Sequence, residues 1–187
     1  GMGKYVPYVD GYHIGQSEEM PLYFKPKHLL SLEDVMEAMR DHYEGTALAL
    51  DNDIAQGIWD CPYRPTPLQY EVDGKKYFNE RPTSTQQTGF SYVAQLRSWL
   101  PREIGGILWF GNDDGNMVAY VPIYCSNTVR AECFNTPGAD AVTFSDKNAF
   151  WVCNWVSNMV YPRYSQLFPA LKEVRDSLEN SYFAAQK

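Results

Sequence analysis

Apolar positions recur along the chain with two different periods. Leu32, Val35, Met36, Met39 and Tyr43 fall at spacings that share one helical face, and Ser31 precedes them with Asp34 three residues on. This predicts a capped helix that Gly45 would stop. Residues 88–97 and 104–110 are β-rich runs joined through Pro101, and the polar turn at 112–116 leads into a third run, 117–124. The middle of the chain therefore reads as an antiparallel meander. Asp73-Gly74, set between Tyr70-Glu71-Val72 and Lys75-Lys76-Tyr77-Phe78, is a two-residue hairpin turn on a surface excursion.

Ser145 is the expected N-cap of a second helix reaching Val160, with Phe150, Trp151, Cys153, Trp155, Val156 and Met159 spread over most of its circumference, so it should be buried on several sides. Pro162 breaks it. After Pro169 a third helix places Leu171, Val174, Leu178 and Tyr182 on one face and Lys172, Glu173, Arg175, Asp176 and Glu179 opposite, the pattern of an amphipathic surface helix. The first 30 residues are rich in tyrosine and proline, without helical period, and read as a loop-rich lead-in with extended pieces such as 21–25. Residues 31–187 would form the core of a single domain.

With 187 residues, 44% of them hydrophobic, the chain can bury roughly two thirds of its unfolded surface. Sixteen Lys plus Arg against 23 Asp plus Glu leave a net charge of -7, a field that repels phosphate backbones and anionic lipid, so neither nucleic acid nor membrane is expected as a partner. No apolar run approaches the roughly 20 residues of a membrane span, and Gly1 ahead of Met2 reads as an expression scar. Cys61, Cys125, Cys133 and Cys153 show no CxxC pair and no nearby histidines, which favours structural thiols over zinc. The same count fits a cytoplasmic and a secreted chain alike.

Chemistry-bearing patterns are sparse. There is no GxSxG, and His13, His28 and His42 all lie in the N-terminal quarter, so a self-contained serine triad is not expected. His42 reads as a helix-terminal residue favoured by the dipole there, with substrate contact as the alternative. Asp51-Asn52-Asp53 and Asp113-Asp114-Gly115-Asn116 lack the acidic twelfth position of an EF-hand and read as turns. Gly105 and Gly106 lie inside a strand run rather than before a helix, which gives no phosphate loop. Aromatic residues around Trp109 and Tyr120 read as core in preference to a sugar platform.

Several strings in order give the sequence a family likeness: Leu-Tyr-Phe-Lys-Pro at 22–26, Asp34-Val-Met, Arg40-Asp-His-Tyr-Glu-Gly-Thr46, Arg81-Pro-Thr-Ser-Thr-Gln-Gln-Thr88, Val93-Ala-Gln-Leu-Arg97, Gly105-Gly-Ile-Leu-Trp109, Tyr120-Val-Pro-Ile-Tyr124 and Asn148-Ala-Phe-Trp151. In these the chain resembles the bacterial cysteine-type dipeptidases among the N-terminal nucleophile hydrolases. The resemblance implies an α+β fold in which an antiparallel sheet with helices is part of an αββα sandwich. It implies a cysteine at a processed N-terminus whose thiol attacks the peptide carbonyl while its own α-amino group serves as base, with backbone N–H groups holding the oxyanion and with no metal or organic cofactor.

The departure from the family lies at the nucleophile. This chain begins Gly-Met-Gly-Lys and has no cysteine before Cys61, whereas family members are longer and carry the nucleophile in the first half. Cys61 would need cleavage within Ile58-Trp-Asp-Cys61 to gain a free α-amino group. The expectation is a C-terminal portion with no catalytic residue of its own: a fragment, a split-enzyme half or a binding remnant. Arg81, Gln86 and Arg97 are the candidates for holding a peptide carboxylate or carbonyl, since an Arg fork suits a carboxylate, with surface pairing or strand-end hydrogen bonding as the alternative. Expected partners are short peptides and, through the apolar second helix, a nucleophile-bearing half or a second copy. The alternative function is a non-catalytic peptide- or glycan-binding module.

Overall fold

The computed structural model describes residues 22–46, 48–64, 69–78 and 81–186. Most of the lead-in, with His13 and Pro21, lies outside the described residues; its described part, 22–30, forms neither helix nor strand.

Helix α1 spans Leu32–Arg40 and starts with the expected capping box: Asp34 N donates to Ser31 Oγ (3.0 Å) and Ser31 N to the Asp34 carboxylate (2.8 Å). It ends at Arg40, short of Gly45. Asp41 turns extended because two forces act there: Glu179 draws the Arg40 guanidinium inward, and the Glu44 carboxylate takes the His42 backbone N–H at 2.7 Å. Tyr43, expected on the helical face, instead has φ 67 and donates its hydroxyl to the carbonyl of Arg81 (2.7 Å).

Strands β1 (Gln69–Val72) and β2 (Lys75–Phe78) make the expected hairpin, with Asp73 (φ 51) and Gly74 (φ 74) both left-handed as a type I′ turn requires, and Tyr70 stacked on Tyr77. The meander is β3 (Phe90–Leu96), β4 (Gly106–Asn112) and β5 (Val121–Tyr124), antiparallel in the order β3-β4-β5, with Val93 opposite Trp109 and Trp109 opposite Pro122. The architecture is α+β.

In the meander, the starts of the second and third runs differ from the sequence reading. Ile104 and Gly105 belong to a four-residue helix, α2 (Arg102–Gly105), so only Gly106 of the glycine pair enters a strand. Residues 117–120 are not strand, because Met117 N closes a turn on Asp114 O and Tyr120 N is captured by the Glu179 carboxylate (2.7 Å) rather than by a neighbouring strand.

One face of the sheet, through Ile107 and Trp109, packs with Tyr120 on Met36 of α1, joined by Val93, Tyr124 and Phe183. A second cluster joins Tyr63, Met117, Val118 and Val160. The opposite face of the sheet is apolar; Phe134 covers it at Phe110, and it is open along β3, where Phe90 is 60% and Leu96 80% exposed.

Helix α3 spans Ala149–Val160 and is capped by Asn148, whose Oδ1 accepts from Phe150 N (3.1 Å) and Trp151 N (3.5 Å); Ser145 sits in the preceding turn, its Oγ accepting from Lys147 N. Only Ser157 and Val160 of α3 are buried, so the expected burial on several sides is not met among the described residues.

Pro162 lies in a single 3-10 turn, Tyr161–Arg163, and α4 (Tyr164–Ala185) follows at once, starting before Pro169 and running through it. The reading of α4 as an ordinary surface helix is overturned. Arg175 and Glu179 are buried, while Val174 is 61% and Leu178 43% exposed. The charged side chains turn inward because fixed partners await them. Arg175 Nη1 donates to Asn116 O (2.7 Å) and Oδ1 (3.0 Å), and Glu179 meets Arg40 and Tyr120 N.

Candidate functional site

The polar turn after β4 is the hub of a buried hydrogen-bond network. Asp114 is fully buried and accepts from the Tyr63 hydroxyl, from Ser84 Oγ, from the Tyr161 hydroxyl (3.2 Å) and from Asn116 N (3.2 Å). Asn116 Nδ2 in turn donates to the hydroxyls of Tyr63 (3.3 Å) and Tyr164 (3.1 Å), and Arg175 locks its oxygen. Four separate stretches of chain thereby converge on one carboxylate. Burial, then the Asp114 charge, pushes the Tyr63 and Tyr161 hydroxyls far above their ordinary range, which fixes both as donors.

The backbone here admits little variation. A Cβ on Gly115 would stand 2.7 Å from the Tyr120 hydroxyl and 3.0 Å from Ser91 Oγ, and Asp113 is held at φ 70. Burial raises the Asp113 carboxyl; its Oδ1 accepts from Asn154 Nδ2 (3.1 Å), and its buried Oδ2 has no partner among the described residues.

His42 is 1% exposed, so it is a core residue rather than the expected helix terminus. Its ring meets Tyr63 edge-on, centroids 4.7 Å apart, and its Nδ1 faces Glu44 Oε1 at 3.0 Å, while Nε2 is buried without a partner among the described residues. Burial opposes ionisation of Glu44, but the hydrogen bonds from His42 outweigh it and lower the carboxyl to about 2.

Tyr63 and Ser84, both buried, also line a tight crevice, too narrow for a water molecule, whose other walls include Arg64, Arg81, Thr85, Gln86 and Gln87. Two of the three predicted residues, Arg81 and Gln86, are brought together there. Arg81 Nη2 donates to Gln87 Oε1 (3.0 Å), and the buried Arg64 is held by Leu50 O and the Asp53 carboxylate (2.7 Å). Arg97 lies elsewhere. It closes the β3–α2 turn by donating to Ile104 O (2.5 Å), the strand-end role that was its alternative.

Sequence reasoning missed Asp114, Asn116, Tyr63 and Ser84. The run of two aspartates, a glycine and an asparagine was visible but reads as turn chemistry, and Tyr63 carries no local signal. The two described thiols with raised values are pushed up mainly by burial: Cys61, and Cys153 to about 11. Among the described residues no group of three or more His, Cys, Asp or Glu is placed to hold a metal ion, and no helix is long and apolar enough to cross a membrane.

The sequence profile of peptidase family C69 matches residues 2–177. The chain is 24% identical over 156 residues to Probable dipeptidase B of Streptococcus pyogenes serotype M1, covering 83% of this chain and 29% of that protein. It is 24% identical over 135 residues to Dipeptidase A of Lactobacillus helveticus, covering 72% of this chain and 24% of that protein. It thus spans less than a third of the length of these curated relatives. No solved structure matches it significantly.

Proposed function

Because the chain belongs to peptidase family C69, we propose that it is the C-terminal portion of a cysteine-type dipeptidase, supplying a wall of the peptide site while the nucleophilic cysteine lies outside this chain. The observation that carries this reading is the meeting of Arg81 and Gln86 above the buried Tyr63–Ser84–Asp114 hub. A guanidinium on a rigid polar floor suits the carboxylate of a short peptide, and Gln86 can donate to its carbonyl.

In this scheme a cysteine thiol attacks the peptide carbonyl, its α-amino group takes the proton, the amine product leaves, and water resolves the acyl-enzyme. Cys61 and Cys153 are poor substitutes: both thiols are raised by burial, and an internal cysteine has no free α-amino group. We assign no catalytic residue within the chain. The nucleophile-bearing half would cover the open apolar face, where Phe90, Tyr92 and Leu96 of β3 and Trp155 and Met159 of α3 are exposed.

The test uses the isolated chain with an unmodified dipeptide and its C-terminal amide, followed by calorimetry. Binding of the free acid alone, lost in Arg81→Ala, supports the carboxylate site; equal binding of both overturns it. Turnover of dipeptides by the isolated chain that survives Cys61→Ala would overturn the placement of the nucleophile.

A further inference from the structure

Between α3, α4 and the sheet lies a groove of about 680 Å³, walled by apolar side chains including Phe110, Val121, Val152, Val156, Val174 and Leu178. Two thiols open into it. Cys133 stands on a 3-10 turn, Glu132–Phe134, and is exposed; Cys153 lies on α3 and is half-buried.

The segment carrying Cys133 is tied to α3 and to the sheet. Thr136 Oγ1 donates to Glu132 O (3.1 Å) and lies 3.2 Å from Lys147 O just ahead of the helix. Trp151 Nε1 donates to Asp140 O (2.9 Å), and Phe134 meets Phe110 edge-on at 6.1 Å. The 3-10 turn packs against α3, and both cysteines line the same groove; burial, Asp113 and then Cys133 push the Cys153 thiol up to about 11.

We propose that Cys133 and Cys153 are a redox pair that forms a disulfide inside the apolar groove, stapling the 3-10 turn to α3. This stands independently of the peptidase reading. The oxidant is a hydroperoxide. The exposed Cys133 reacts first: its thiol gives up its proton, its sulfur attacks one peroxide oxygen, the O–O bond breaks, the sulfur becomes a sulfenic acid, and the other oxygen takes up that proton and leaves as water or an alcohol. The Cys153 sulfur then attacks the Cys133 sulfur; the S–S bond forms, the S–O bond breaks, and the hydroxyl leaves as water with the Cys153 proton. The two thiols together supply the two electrons that reduce the peroxide.

The test is to titrate the reduced chain with hydrogen peroxide, unfold it, count remaining thiols and map the peptides. Two of the four thiols should vanish together, with Cys133 joined to Cys153 in a monomer on a non-reducing gel. Cys153→Ser should leave Cys133 as a sulfenic acid that dimedone traps, and dibromobimane should bridge the two thiols in the reduced protein. A disulfide through Cys61 or Cys125, a covalent dimer, or failure of dibromobimane to bridge this pair overturns the proposal.

Discussion

Arg40 and Glu179, 139 residues apart, form an ion pair in which both side chains are almost wholly buried: Nη2 lies 2.5 Å from Oε1, and Nη1 3.2 Å from Oε2. Arg40 Nε also donates to Gly115 O, and Glu179 accepts from Tyr120 N, so the pair ties α1, α4 and the hub turn into one unit. Removing one partner strands the other's charge out of water. Glu179→Leu should lower unfolding free energy by about 3–5 kcal/mol in urea, and adding Arg40→Met should restore much of the loss. Equal losses in the single and double variants would contradict the pairing.

The hub makes a second stability prediction. Asp114→Ala removes the acceptor shared by Tyr63, Ser84 and Tyr161 and should cost about 3 kcal/mol or more, against about 1–3 kcal/mol for Tyr63→Phe. A double-mutant cycle between them should show coupling. Additive losses would place the two residues in separate networks.

The acid limb of stability should carry a signature of Glu44. Its carboxyl is lowered from 4.5 to about 2 in the folded chain, so the unfolded state binds the proton more readily; the contribution is complete above pH 4.5 and is lost as pH falls toward 2. Because Glu44 is half exposed, the effect is screened and small. Carbon-13 titration of Glu44 should show the lowered midpoint, and His42→Ala should return it toward 4.5. A wild-type midpoint at 4.5 would refute the His42 contact.

The start of α3 is open to a direct comparison. Asn148→Ala should destabilise by about 1 kcal/mol, whereas Ser145→Ala should stay within about 0.5 kcal/mol. The reverse order in thermal or chemical unfolding would restore Ser145 as the cap.

Much of the scaffold was legible because its signals are local. The Ser31–Asp34 box, the Asp73-Gly74 turn and the alternation in β3 and β4 each depend on neighbours in sequence. What escaped depends on distant partners. Nothing near Arg175 or Glu179 marks them as buried, since the groups that satisfy them come from Asn116, Arg40 and Tyr120; Leu171 and Tyr182 do pack inward as their spacing predicts. The candidate site divides in the same way: Arg81 and Gln86 stand out in sequence as family-like polar residues and remain a proposal, while Tyr63 and Asp114 gain meaning only when the chain brings them together.

The open side of the sheet has a consequence for the life of this polypeptide in a cell. Strand β3, Phe-Ser-Tyr-Val-Ala-Gln-Leu, is seven residues without charge, glycine or proline, and among the described residues one of its edges has no strand neighbour. Chains meeting along that edge can extend the ladder from molecule to molecule. Produced without a cover, the protein should therefore seed ordered aggregates and draw on chaperones, and a lysine in place of Tyr92 should act as a gatekeeper that keeps it dispersed. Solubility of this chain should therefore respond more strongly to these seven neutral residues than to a change in its net charge of -7.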